Sequence, residues 1–154
     1  MRPFRFRAAI VLELRQKQDE EAQRALGRAK AEVLTAQTAL DGAAAALGAA
    51  MRRAAEAEAS AEEVTLLQWY RNWMAGRQAD VTHCREQLEA RRAVMRTAAQ
   101  AALKARRELR VIERYRERVW QAWQRDALRE EQKELDLLGT MQYAARHLAP
   151  GGQG

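Results

Sequence analysis

Few side chains in this sequence are equipped for covalent or acid-base chemistry. The nucleophiles and bases of intermediate pKa reduce to Cys84, His83 and His147. His83 and Cys84 are neighbours, and neighbouring side chains on a helix diverge by ~100°, so the two cannot form a nucleophile and base pair by themselves. Paired cysteines at zinc spacing, a His-Glu-x-x-His helix and a glycine-rich phosphate loop are all missing from the sequence. A single cysteine excludes an intrachain disulfide and suits a reducing compartment. No catalytic residue, cofactor or metal is expected, and Cys84 reads as a small buried thiol in a helix seam.

What the chain has in quantity is arginine. Lys and Arg total 27 against 21 Asp and Glu, a net charge of +6, which favours an acidic partner: nucleic acid, an anionic membrane surface or an acidic protein. Arg85, Arg92, Arg96, Arg107, Arg110, Arg114 and Arg118 form a basic face on the second half of the chain. Three readings of it stay open: a solvated face balanced by Glu86, Glu89, Glu108, Glu113 and Glu117, a surface for an acidic protein, and a surface for nucleic acid. Basic-zipper DNA binding is disfavoured, because there the basic segment precedes the zipper, whereas these arginines share the residues that form it. No nucleic-acid partner is expected.

Aromatic residues make two further clusters, Trp69, Tyr70 and Trp73, and Trp120 and Trp123. Tyr70 and Trp123 fall on the apolar seam described next. Trp69, Trp73 and Trp120 fall off it, where a two-helix structure has little to bury them. Exposed tryptophan flanked by arginine has the composition of an interface hot spot, with local packing as the alternative.

The elements that hold these groups are helices. Of 154 residues, 47% are apolar but only 6% aromatic, too few large side chains for a globular core, and the only prolines are Pro3 and Pro150. From residue 22 the apolar positions recur every seven residues. Leu26, Val33, Leu40 and Leu47 form one row, and Ala22, Ala29, Ala36, Ala43, Ala50 and Ala57 its companion. A second seam runs Leu67, Met74, Val81, Leu88, Met95, Ala102, Leu109, Arg116, Trp123, with Tyr70, Arg77, Cys84, Arg91, Ala98, Ala105, Ile112 and Val119 beside it. The fold expected is all-α: two long helices in an antiparallel coiled-coil hairpin. Helix 1 spans about 4–57, the turn about 58–61 and helix 2 about 62–148, with a disordered tail over 149–154.

Ser60 and Glu63 have the spacing of a capping box and place the turn; Asp41-Gly42 is the competing site, and a single unbroken helix dimerising in parallel is a rival architecture. Reversal near residue 59 sets Phe4 opposite roughly residue 115 and leaves Val119 to Leu148 overhanging, at ~1.5 Å per residue. Leu128, Leu135, Leu138 and Met141 on that overhang then have no first-helix surface to cover them, so a partner protein, a second copy or a late fold-back must. The apolar run Ala8 to Leu12 is too short for a signal peptide, and no stretch is apolar enough to span a membrane, so a cytoplasmic protein is expected.

At this point the residues resemble a known family. Phe4-Arg5-Phe6-Arg7, Leu12-Glu13-Leu14-Arg15 and Asp19-Glu20-Glu21 before Leu26 resemble the start of the flagellar export protein FliJ. Arg129 to Asp136 resembles that family's closing motif, a charged stretch leading into Lys-x-Leu-Asp, and Tyr70 followed by Trp73 resembles its aromatic pair after the turn. The resemblance implies a non-enzymatic component of the flagellar type III export apparatus whose coiled coil looks like the rotor shaft of the F-type ATP synthase. It implies three partners, the export ATPase hexamer, the export gate membrane protein and export chaperones, and a location in the cytoplasm, peripheral at the inner face of the cell membrane through those partners. By position, Phe4, Phe6, Trp120, Trp123, Leu128, Leu135 and Leu138 fall at the shaft end that contacts the ATPase ring. Trp69, Tyr70, Trp73, Arg77, Asp80 and Cys84 fall at the gate-contacting surface, which in the family is more apolar than Arg77 and Asp80 make it here. The virulence-secretion counterpart of the YscO type shares this architecture.

Overall fold

The structure, a computed structural model, describes residues 3–60 and 63–147. The tail 149–154, Leu148, and Ala61 and Glu62 of the expected turn and helix start lie outside the described residues. Two long helices pack against each other, α1 over Ala9–Ala59 and the longer α2 over Val64–His147, and no strand occurs among the described residues. Uninterrupted helix over 51 and 84 residues follows from a sequence of strong helix formers with no proline inside either element. Chain contacts divide the molecule into two compact units, Lys17–Arg107 and a second made of Met1–Gln16 with Glu108–Gly154.

In the unit Lys17–Arg107 the seam is made of small side chains. Ala29, Ala50, Ala54 and Ala57 of α1 are buried, as are Tyr70, Val81, Leu88 and Ala102 of α2, while Leu26, Val33, Leu40 and Leu47 are half-buried. Alanine lets the helix backbones approach, and each turn then buries less apolar area than a leucine seam would. The helices run antiparallel, since the α1 partner falls back from Glu32 to Asp19 as α2 advances from Arg91 to Arg106: Arg91 Nη1 lies 3.0 Å from Glu32 Oε2 and Arg106 Nε lies 3.1 Å from Asp19 Oδ1. Arg91 is exposed although it falls on a seam row, because its long side chain carries the guanidinium out to water. Near the loop, Tyr70 packs on Ala54 and Ala57, with Leu67, Trp73 and Met74 closing around them.

The loop corrects the capping-box expectation. The Ser60 hydroxyl donates to the Glu56 carbonyl at 2.9 Å, and the Ser60 amide reaches the same oxygen at 3.0 Å, so Ser60 finishes α1 rather than starting α2. Glu63 instead supplies the first carbonyl of the second helix, accepting from the Leu67 amide at 3.1 Å.

In the other unit α1 begins at Ala9, not near residue 4. Residues 3–6 are non-helical, and their side chains alternate: Phe4 and Phe6 are half-buried while Pro3 and Arg5 are exposed. Alternation is what an extended segment produces, and it points both phenyl rings at α2. A helix would have turned them ~200° apart, so aromatic packing overrides helix propensity here. Extended chain also advances about twice as far per residue as helix. Phe4 therefore reaches Trp120 and Trp123, beyond the expected residue 115, and it is Phe6 that faces Tyr115.

Candidate functional site

The strap formed by residues 3–6 builds an aromatic knot on α2. The Phe4 ring meets Trp120 edge-on at 4.9 Å between centroids and Trp123 at 5.8 Å, and the two indoles stack on each other at 5.0 Å and 24°. Phe6 packs on Tyr115 at 5.7 Å. Trp120, expected to stand exposed off the seam, is half-buried by this contact, and Trp123 and Val119 are half-buried with it. Beneath Phe4 lies a groove of about 480 Å³ lined by Leu12, Gln16, Glu113, Arg116, Glu117 and Trp120. Arg15 of α1 closes on Glu108 of α2 at 2.7 Å beside the next turn.

Cover ends at Ala127, which is buried. The overhang thus begins at Leu128 rather than at Val119, and the strap carries the shelter as far as Trp123. From Leu128 to His147 every side chain is exposed except Ala144, which is half-buried. At ~1.5 Å per residue this bare helix is on the order of 30 Å long. Leu128, Leu135 and Leu138 are 64%, 67% and 54% exposed, and Leu137, Met141 and Tyr143, of which the sequence reading named only Met141, are equally open. The heptad rows that build the seam continue here as Glu130, Leu137 and Ala144 on one row and Asp126, Lys133, Thr140 and His147 on the other, so of the exposed large apolar residues only Leu137 lies on the seam. Gly139 sits in this stretch with nothing within 4 Å of where a Cβ would stand.

At the opposite end of α2, Trp69 stacks on Trp73 at 5.5 Å and 27° and leans edge-on against Tyr70 at 5.2 Å. Tyr70 is buried, Trp73 half-buried, and Trp69 alone of the three is exposed, at 55%. One turn on, Arg77 Nη1 pairs with Asp80 Oδ2 at 3.3 Å, so the two charges that interrupt this otherwise apolar surface neutralise each other; Cys84 is half-buried. The basic face is divided. Arg92 is engaged by Glu89 at 2.7 Å, whereas Arg85, Arg96, Arg107, Arg110, Arg114 and Arg118 are exposed and make no ion pair among the described residues.

The seam position of one polar residue was not read from the sequence. Asp19 is buried, its carboxylate 3.1 Å from Arg106 Nε, with the Gln23 amide at 3.4 Å. The signal was available: stepping back seven from Leu26 lands on Asp19, and forward from Leu47 on Ala54, also buried. The described residues hold no cluster of His, Cys, Asp or Glu able to bind a metal and no helix long and apolar enough to cross a membrane.

The model of a family described as Flagellar FliJ protein matches residues 5–148. The chain belongs to the FliJ family. The match spans both helices, Arg5 and Phe6 of the strap and all of the bare end, so it rests on nearly the whole chain and not on one motif. FliJ proteins are non-catalytic components of the flagellar protein export apparatus, in keeping with a chain built of contact surfaces. No curated protein and no solved structure gives a match.

Proposed function

We propose that this FliJ chain is the central stalk of the flagellar export ATPase: the bare end of α2 seats in the ATPase ring, and the far end of the helix couples the ring to the export gate. The observation that carries the reading is the uncovered apolar surface of Leu128, Leu135, Leu137, Leu138, Met141 and Tyr143. Exposed leucines on a helix that no second helix shelters lose free energy to water until another surface covers them. Glu130, Glu131, Glu134 and Asp136 among them keep the end dispersed while free and supply charged contacts when it is gripped.

The geometry supports a division of labour. Phe4 packs with Trp120 and Trp123, and Phe6 with Tyr115, so these rings stiffen the root of the stalk and contribute their edges to the ring, while the leucines beyond them supply the main contact. Trp69, with Trp73, Arg77, Asp80 and Cys84 along the same helix, forms the gate-facing surface, and the internal Arg77 to Asp80 pair lets an apolar partner approach it. Export chaperones are handled by the same chain, and its place at the inner face of the membrane comes from these partners.

Truncation after Ala127 should abolish co-purification with the export ATPase while leaving α1 packed on α2. Replacing Trp69 and Trp73 with alanine should leave that co-purification intact and weaken capture of the gate's cytoplasmic domain. A truncated chain that still holds the ATPase would overturn the assignment of the bare end.

A further inference from the structure

Four of the arginines of α2 that no carboxylate engages among the described residues fall in a line. Arg110, Arg114, Arg118, Gln121, Arg125 and Leu128 follow one another at steps of three and four residues, the spacing that keeps side chains on one face of a helix. The four arginines are exposed and make no ion pair among the described residues. Of the acids nearby, Glu117 lies beside the line itself, in a groove with Val111, Arg114, Arg118 and Gln121, and the others are occupied or turned elsewhere. Glu117 Oε1 accepts from Gln121 at 2.9 Å, Asp126 is held by Arg129 at 3.6 Å, and Glu113 lines the groove beneath Phe4 with Arg116. Two aliphatic side chains accompany the line, Val111 at 62% exposure and Leu128 at 64%.

We infer that this face is a docking surface for an anionic lipid bilayer. Three kinds of acidic partner suit a basic stripe, and its geometry separates them. A third coiled-coil helix needs apolar residues at the central positions of the stripe, and those positions are arginine. A nucleic-acid duplex is a cylinder, and a straight stripe crossing it meets few phosphates, whereas side chains that read a duplex enter its grooves from a curved or angled element. A bilayer is flat, and a straight line of about 22 Å, from Arg110 to Arg125 at 1.5 Å per residue, touches it along its whole length. Arginine stems lie along the interface while the guanidinium groups meet phosphates, and Val111 dips to the level where lipid headgroups give way to acyl chains. Contact of this kind is direct, and so goes beyond a membrane location supplied by protein partners.

Partitioning of the full-length chain into sedimenting vesicles tests the inference. Binding is expected to vesicles containing phosphatidylglycerol, to fall with added salt, and to be lost on vesicles of phosphatidylcholine alone. Replacing Arg110, Arg114 and Arg118 together with glutamine should weaken it by about a hundredfold, from about fivefold per arginine. A control of equal charge, Arg28→Gln with Lys30→Gln and Arg52→Gln on the exposed side of α1, should change it by less than about fivefold. Far-UV circular dichroism verifies that both variants keep their helices. Equal losses in the two variants, a wild-type chain that ignores anionic vesicles at low salt, or tighter binding to duplex DNA than to the vesicles at the same salt would each overturn the inference.

Discussion

Asp19 and Arg106 are partners, yet replacing each should move stability in opposite directions. The Asp19 side chain is only 8% exposed and rests against Arg106 Nε, while the Arg106 side chain is 47% exposed. Arg106→Met strands a carboxylate in the seam. Stranding one member of a buried pair costs ~3 to 5 kcal/mol, and because water reaches this pair from the arginine side the cost is discounted to ~1 to 3 kcal/mol. Asp19→Leu removes the desolvated charge and completes the row from Leu12 to Leu26. Its expected effect lies between no change and about 2 kcal/mol of added stability. The double variant should resemble Asp19→Leu alone, since no charge is left unpaired. Urea unfolding followed by far-UV circular dichroism measures all three, with the midpoint reporting stability and an unchanged slope reporting the same extent of unfolding. An Arg106→Met chain within about 0.5 kcal/mol of wild type, or an Asp19→Leu chain as unstable as Arg106→Met, would refute this account of the pair.

Phe4→Ala combined with Phe6→Ala should release the strap without unfolding either helix, so helix content stays constant while Trp120 and Trp123 become more open to a fluorescence quencher; the paired ring contacts are worth about 0.5 to 1.5 kcal/mol each. Gly27→Ala and Gly42→Ala, at sites where an added Cβ meets nothing within 4 Å, should each stabilise the chain by about 1 kcal/mol, read as a rise in the urea midpoint. Leu135→Asp with Leu138→Asp should leave stability within about 0.5 kcal/mol of wild type, because both side chains are already in water, and should abolish capture of the export ATPase.

The two helices and their antiparallel pairing were legible because a seven-residue repeat admits few other structures, and the seam rows were read from alanines and leucines that the structure buries or half-buries. What the repeat could not show was anything outside helical periodicity. Phe4 and Phe6, two apart, carry the mark of an extended segment, but two residues are too few for alternation to compete with helix-forming composition. From that followed the displaced overhang, since the extra reach of the strap shelters Trp120 and Trp123. Ser60 failed as a cap for a different reason: its hydroxyl serves the carbonyl behind it as readily as an amide ahead, and spacing does not distinguish the two. Asp19 was passed over because a search for apolar rows stops where a charge appears.

Gly139 lowers the intrinsic helix stability of the bare end of α2. Helix without tertiary support is marginal over this length, and a glycine within it costs about 1 kcal/mol relative to alanine. A gripping partner must supply that ordering free energy when it closes around the end. On the proposed seating in the ATPase ring, Gly139→Ala should tighten the grip about fivefold through preorganisation alone, without touching the partner, and an export cycle that requires release would slow accordingly.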